Sequence, residues 1–284
     1  MPTRFDHAVI AVRDLDRAVQ KFQYLGFDAV PGGRHSGRGT HNALVRFGLD
    51  YFELLSVYDE TEARASTVNG LTILDALHGR ETALVGYALA TTQIEQDAQH
   101  FKGEGNELPH PNPMQRTRPD GQTLSWRTVS PAGPPWNRPW PFLIQWDIPD
   151  EQRLQIDQPG THRNGATAWV QIAVATRDLA KTLDVYQNQL GLELLQREND
   201  QDTQHVTLAI GKEKIDLFSP EGKQSFFVEK GEGPFALSFA VKSLEATRQF
   251  LERQNIRFHQ QTEPGEKLVL NPDQTDGIII TFVA

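Results

Sequence analysis

The chain opens on a period-two stretch in which Phe5, His7, Val9 and Ala11 alternate with Ala8, Ile10 and Val12. Apolar residues on both faces predict a strand covered on both sides, with His7 set among them. At Asp14 the period changes. Leu15, Ala18, Val19, Phe22 and Leu25 fall on one face of a helix that Asp14 caps and Gly26 ends. A short strand over Phe27 to Val30 follows, then a glycine-rich loop from Pro31 to Gly39. His41 to Phe47 and Tyr51 to Val57 alternate about the turn Gly48-Leu49-Asp50, which reads as a hairpin. The predicted unit is a strand, a helix and three more strands.

That unit returns. Ala168 to Leu179 repeats the opening strand and cap at an offset of 164, since 177 − 13 and 179 − 15 agree for the Arg and Leu pairs. Its helix carries Leu179, Leu183, Tyr186 and Leu190 before Gly191, one residue later than the first copy requires. His205 to Ile210 and Lys214 to Phe218 form the second hairpin. Two fainter copies are predicted. One runs from the strand Ala83 to Thr91 through a short helix to strands at Leu124 to Val129 and Pro141 to Trp146. The other starts at Phe235 to Val241 and continues with a helix near Leu244 to Gln254 and strands ending at Val283. Long loops are expected over Gly103 to Gly121 and Ser130 to Pro141. The Pro-, Gln-, Asp- and Gly-rich stretch from Asp147 to Gly165 reads as a linker. The expected organisation is α+β: four β-α-β-β-β modules forming two domains. These are 1–148 (modules 5–58 and 83–146) and 166–284 (modules 168–220 and 235–283), with 149–165 between them.

Charge narrows the partners. Lys plus Arg number 28 against 37 Asp plus Glu, so the net charge is −9, and no basic run with interleaved aromatics offsets it. Nucleic acid is not an expected partner. With no Cys in 284 residues, disulfides, thiolate ligands and cysteine nucleophiles are all excluded. The apolar stretch near the N-terminus is short and soon followed by Asp14 and Asp16, unlike a signal peptide, and no 18-residue apolar run suits a membrane. The expectation is a cytoplasmic protein that takes a small molecule, with a homodimer as an allowed assembly.

The segment Asp6-His7-Ala8-Val9-Ile10-Ala11-Val12-Arg13-Asp14-Leu15 resembles the signature of the vicinal oxygen chelate superfamily, which includes glyoxalase I, extradiol dioxygenases and bleomycin-resistance proteins. Pro31 to His35 and Gly39 to Leu44 look like its glyoxalase-like branch. The resemblance implies cupped mixed sheets, each made from two modules, with a divalent metal held by side chains of the first and last strands of each module. Carried over, those places are His7 and Glu53 in module one and Gln171 and Asp216 in module three. Module two offers Gly86 and no carboxylate, and module four offers Ala236 and isoleucines near Ile279. Neither sequential pair therefore carries four ligands. Direct pairing of modules one and three would assemble a full set, but short connections favour neighbours.

His7 and Glu53 supply a nitrogen and an oxygen donor suited to zinc, iron, manganese, cobalt or nickel. The bland reading is a core histidine hydrogen-bonded to a carboxylate. His41 alternates with Ala43 and Val45 and is the expected third ligand or acid/base; the alternative is that it and Asn42 only close the glycine-rich loop. Arg34, His35 and Arg38, with Asn42, are candidates to hold an anionic substrate, although a plain surface turn has the same composition. Trp136 and Trp140 are candidate caps over an apolar ligand. The catalytic candidates are His41 and Glu53. The implied function is a metal-dependent lyase, isomerase or dioxygenase acting on a small compound with adjacent oxygens. The alternative is a binding or sequestration protein of the resistance type.

Overall fold

The computed structural model describes every residue except 68–69, 103–108, 134–135, 201–202, 221–230 and 264. Each copy of the repeat folds as a strand, a helix and three further strands. Module one consists of β1 (Arg4–Val12), α1 (Leu15–Tyr24), β2 (Ala29–His35), β3 (Thr40–Arg46) and β4 (Tyr51–Val57), followed by the short helix α2 (Glu60–Ala65). Module two has β5 (Thr82–Ala90), α3 (Ile94–Ala98), β6 (Asn112–Thr117), β7 (Thr123–Val129) and β8 (Phe142–Trp146). The helix α4 (Asp150–Ile156) then leads into module three: β9 (Ala166–Ala175), α5 (Leu179–Leu183), β10 (Glu193–Asp200), β11 (Thr203–Ile210) and β12 (Glu213–Pro220). Module four is β13 (Gly233–Val241), α6 (Leu244–Arg253), β14 (Phe258–Gln261), β15 (Lys267–Leu270) and β16 (Ile279–Val283). Asp14, Asp178 and Ser243 each accept a bond from the backbone N–H three residues on, so all three act as helix caps.

Neighbouring modules pair. Modules one and two close into a barrel in the order β1-β4-β3-β2-β6-β7-β8-β5, and modules three and four form an eight-stranded sheet in the order β10-β11-β12-β9-β13-β16-β15-β14. In each, the first strands of the two modules run antiparallel, and each lies parallel to its own module's last strand. The barrel closes through a short seam. Arg34 pairs with Thr117 and His35 with Arg116, and the Ser36 N–H donates to the Gln115 carbonyl at 3.2 Å.

Three sequence expectations change here. The segment expected to be a loop from Pro31 is strand as far as His35, bulged between Pro31 and Gly33, and only Ser36 to Gly39 turns. Gly33, at φ +141°, permits this: a Cβ there would lie 2.1 Å from the Thr117 carbonyl oxygen. The loop expected over 103–121 contains β6 from Asn112 onwards, and its residues 103–108 lie outside the described ones. The one-residue slack in module three is a π-helical turn at Asp184–Gln189, which takes an extra residue and delays Leu190.

The outer faces of barrel and sheet share one apolar core with the helices between them. Phe5 stacks on Trp169 with ring centres 4.0 Å apart, and Phe239 meets Phe27, Phe47 and Phe52 at 5.3, 5.0 and 5.9 Å. Residues 149–165 are packed as well. Arg153 and Asn164 are completely enclosed, and His162 bridges the Asp28 N–H and the Arg46 carbonyl. A core common to both halves couples their unfolding. Phe239→Ala is therefore expected to cost about 3–5 kcal/mol and to leave a single unfolding transition. Denaturant titration followed by near-UV and far-UV circular dichroism checks this, and two separated transitions would contradict it.

Candidate functional site

The side chains inside the barrel follow from strand alternation. On β1 the even residues Ala8, Ile10 and Val12 join the shared outer core, leaving His7, Val9 and Ala11 to face inward. On β4 Tyr51, Glu53 and Leu55 face inward, while Phe52 and Leu54 face out. His7 pairs with Tyr51 across the parallel ladder, so Glu53 stands two residues further along the same face. The His7 Nε2 to Glu53 Oε2 distance is 3.9 Å, and both residues are 6% exposed.

Asp6 sets the orientation of His7. It is completely buried and lies 2.8 Å from His7 Nδ1. Its other oxygen accepts from Trp146 Nε1 at 2.9 Å and from Arg153 Nη1 at 3.2 Å. Burial pushes this carboxyl up, but Arg153, His7 and Arg4 together hold it well below the usual carboxylate range. An ionised Asp6 keeps the proton of a neutral imidazole on Nδ1, which turns the Nε2 lone pair toward Glu53. Tyr51 stacks on the His7 ring at 4.9 Å, and the edge of Phe142 meets it at 5.5 Å.

The second histidine in this group is His35. Because β2 extends through Gly33, His35 enters the barrel, where its Nε2 lies 3.7 Å from Glu53 Oε1 and its Nδ1 lies 3.0 Å from Thr40 Oγ1. Burial lowers it to about 4 against the opposing pull of Glu53, with Arg116, His7 and Arg38 adding to the shift; it is uncharged at neutral pH. Asn42 also points inward and donates to Glu53 Oε1. Two imidazoles thus flank one carboxylate, at separations too long for hydrogen bonds and wide enough for one bridging atom. Among the described residues, no group of three His, Asp or Glu stands ready as a metal centre.

The remaining candidates lie elsewhere. His41 keeps step with Ala43 and Val45, but those residues face the shared outer core; it packs on Tyr58 with ring centres 5.7 Å apart, outside the barrel. It is not brought to His7 and Glu53. Arg34 lies over the same Tyr58 ring at 4.7 Å, and Arg38 donates to the Ser66 carbonyl, so neither is joined to the group inside. Trp136 covers the barrel interior beside Phe142, where a Cβ on Gly86 would come within 3.1 Å of its ring. An indole thus occupies the space of the side chain that module two lacks. Trp140 is buried in the shared core beneath Lys181, away from this group. Sequence reasoning assigned no role to Asp6, and it missed Arg116, which lies inside the expected loop. His35 was recognised, but as a loop residue.

Gln171 and Asp216 hold the corresponding places in the second sheet: Gln171 pairs with Lys214 as His7 does with Tyr51. The Gln171 amide donates to Asp216, whose other oxygen accepts from Thr207 Oγ1 at 2.8 Å and faces His205 Nε2 at 3.2 Å. These groups satisfy one another, and Gln171 and Asp216 stand on the wall of a cavity of about 750 Å³ that Phe218, Ser238 and Thr281 also line.

A closed barrel of two such modules, with imidazoles and a carboxylate inside, defines the cup of a glyoxalase-type protein. The chain belongs to the glyoxalase-like domain family, whose model matches residues 5–190, and so to the vicinal oxygen chelate superfamily. The model of the Glyoxalase/Bleomycin resistance protein/Dioxygenase superfamily matches residues 170–269. Among solved structures, a hypothetical protein from Staphylococcus aureus is similar at 18% identity and a TM-score of 0.70, over 99% of each chain. A mutant of 4-hydroxymandelate synthase from Streptomyces coelicolor is similar at 15% identity and a TM-score of 0.63, over 99% of this chain and 92% of that one. These likenesses concern the fold. No curated protein matches in sequence.

The Asp216 bond raises His205 above its ordinary value, against a smaller opposing effect of burial. A raised histidine stabilises the fold fully below its unfolded pKa of about 6.5, and that contribution is lost as pH rises through the folded value. In an NMR titration the His205 imidazole is expected to titrate above its ordinary value and to move down in Asp216→Asn. An unchanged midpoint in the variant would refute the coupling.

Proposed function

We propose that the barrel is the active site of a metal-dependent lyase, isomerase or oxygenase of glyoxalase-like type acting on a small vicinal-oxygen substrate. The observation that carries this reading is the placement of the two imidazole Nε2 atoms against the two oxygens of Glu53, at 3.9 and 3.7 Å. Two imidazole nitrogen donors and a carboxylate fit zinc, iron, manganese, cobalt or nickel. The carboxylate-to-histidine contact from Asp6 is the kind of support that metal-ligating histidines receive. His7, His35 and Glu53 would hold the ion. When bound, it would supply Lewis-acid polarisation of a substrate oxygen.

The protein's own residues do the rest. Asp6 fixes the His7 tautomer, and Thr40 holds the His35 ring. The Asn42 amide donates to Glu53 and steers its carboxylate. Glu53 is the base in this reading: an oxygen freed from its neighbour takes a proton from the carbon beside the substrate carbonyl. Trp136 and Phe142 exclude water from that transfer. Proton movement of this kind favours the lyase or isomerase form over the oxygenase.

Protein purified without chelator is expected to carry about one equivalent of a transition metal per chain by elemental analysis. His7→Ala, His35→Ala and Glu53→Ala should each lose it, whereas His41→Ala should keep it. Less than about 0.2 equivalents, with no uptake on titration, would overturn the metal reading. The aromatic lining of Tyr51, Trp126, Phe142 and Trp146 would then favour the second reading, a non-catalytic binding or sequestration protein.

A further inference from the structure

Among the described residues four arginines are almost fully enclosed, and three have evident partners. Arg153 pairs with Asp6, Arg46 lies 3.0 Å from Asp157, and Arg138 donates to the carbonyls of Trp140 and Pro131 and to Ser130 Oγ. Arg116 differs. It is 2% exposed, and its Nε and Nη2 are both buried without a hydrogen-bond partner. Guanidinium N–H groups left buried and unpaired are costly, and the fold nevertheless places two here.

Its position shows what it faces. On β6, Met114 and Arg116 point inward while Gln115 and Thr117 are exposed. Arg116 pairs across the seam with His35, and its charge acts on His35, Arg46 and Tyr51, all inside the barrel. Cross-strand neighbours on one face stand about 4.5–5.5 Å apart, so Arg116 is next to the His35 and Glu53 pair. His7, His35 and Glu53 are each 6% exposed, so none of the three is wholly sealed. Nε and Nη2 are the two nitrogens on one edge of the guanidinium, and their parallel N–H groups match the two oxygens of a carboxylate.

We infer that the barrel's ligand is a small carboxylate, held in a fork by Nε and Nη2 of Arg116, with an oxygen on the neighbouring carbon directed toward Glu53 and the two histidines. The inference rests on reading the barrel as a small-molecule site and adds the charge and shape of what enters. It does not depend on the metal. Lys would keep the charge but lose the planar fork, and Gln would lose both.

The test uses lactate and lactamide, which have nearly the same shape and differ in charge, titrated calorimetrically into the full-length protein. The wild type should bind lactate at least about tenfold more tightly than lactamide. Arg116→Gln should erase that preference while melting no lower than the wild type, and Arg116→Lys should retain only part of it. Absence of lactate binding at millimolar concentration, equal binding of the two probes, or an undiminished preference in Arg116→Gln would each overturn the inference. The wild-type comparison stands even if a variant fails to fold. Metal content measured on the same samples separates the two claims. A metal-free protein that still prefers lactate retires the metal reading alone, and a metal-loaded protein indifferent to charge retires the anion site alone.

Discussion

The arrangement inside the barrel depends on one buried anion. Asp6 has no contact with solvent, so its charge is tolerable only while Arg153, Trp146 and His7 surround it. Those three partners come from α4, from the end of β8 and from β1 itself. Satisfying one carboxylate therefore docks the connecting helix, closes one end of the barrel and sets the ring that faces Glu53. The indole of Trp146 carries the Arg153 guanidinium over its face at 3.9 Å, which adds a cation–π contact to the same group. Stability and orientation of the site share a single origin.

Much of the architecture was legible in the amino-acid pattern because the modules repeat. Strand period, an Asp cap, helical spacing and a Leu-Gly stop recur in order, and each is a local signal. His7 and Glu53 could be placed on one face because both lie in regular strands whose alternation is unbroken. His41 could not be placed correctly from alternation alone. A strand in a barrel has two covered faces, and Ala43 and Val45 suit either of them. His35 and Arg116 were obscured by glycine and proline around them, since Pro31-Gly32-Gly33 and Pro111 to Pro113 carry the composition of loops. In the first case the glycine serves a bulge that lets β6 approach, which becomes apparent only when its distant partner strand is known.

The two halves have kept one plan and diverged in what fills it. The barrel interior holds groups separated by gaps that their own hydrogen bonds do not close. In the second sheet, Gln171, Thr207 and His205 surround Asp216 and leave both of its oxygens engaged. A cup whose polar groups are paired with one another has less to offer an incoming molecule. Gly86 shows a related change, because the missing side chain of module two is replaced in space by Trp136 from a distant loop.

The seam between β2 and β6 is two paired rungs long, and His35 and Arg116 form one of them. A cylinder joined by so few bonds along one line parts most readily there, since opening the wall breaks little of the ladder. His35 and Arg116 therefore stand on the line where the wall is held by the fewest bonds, and parting it there would uncover both side chains at once.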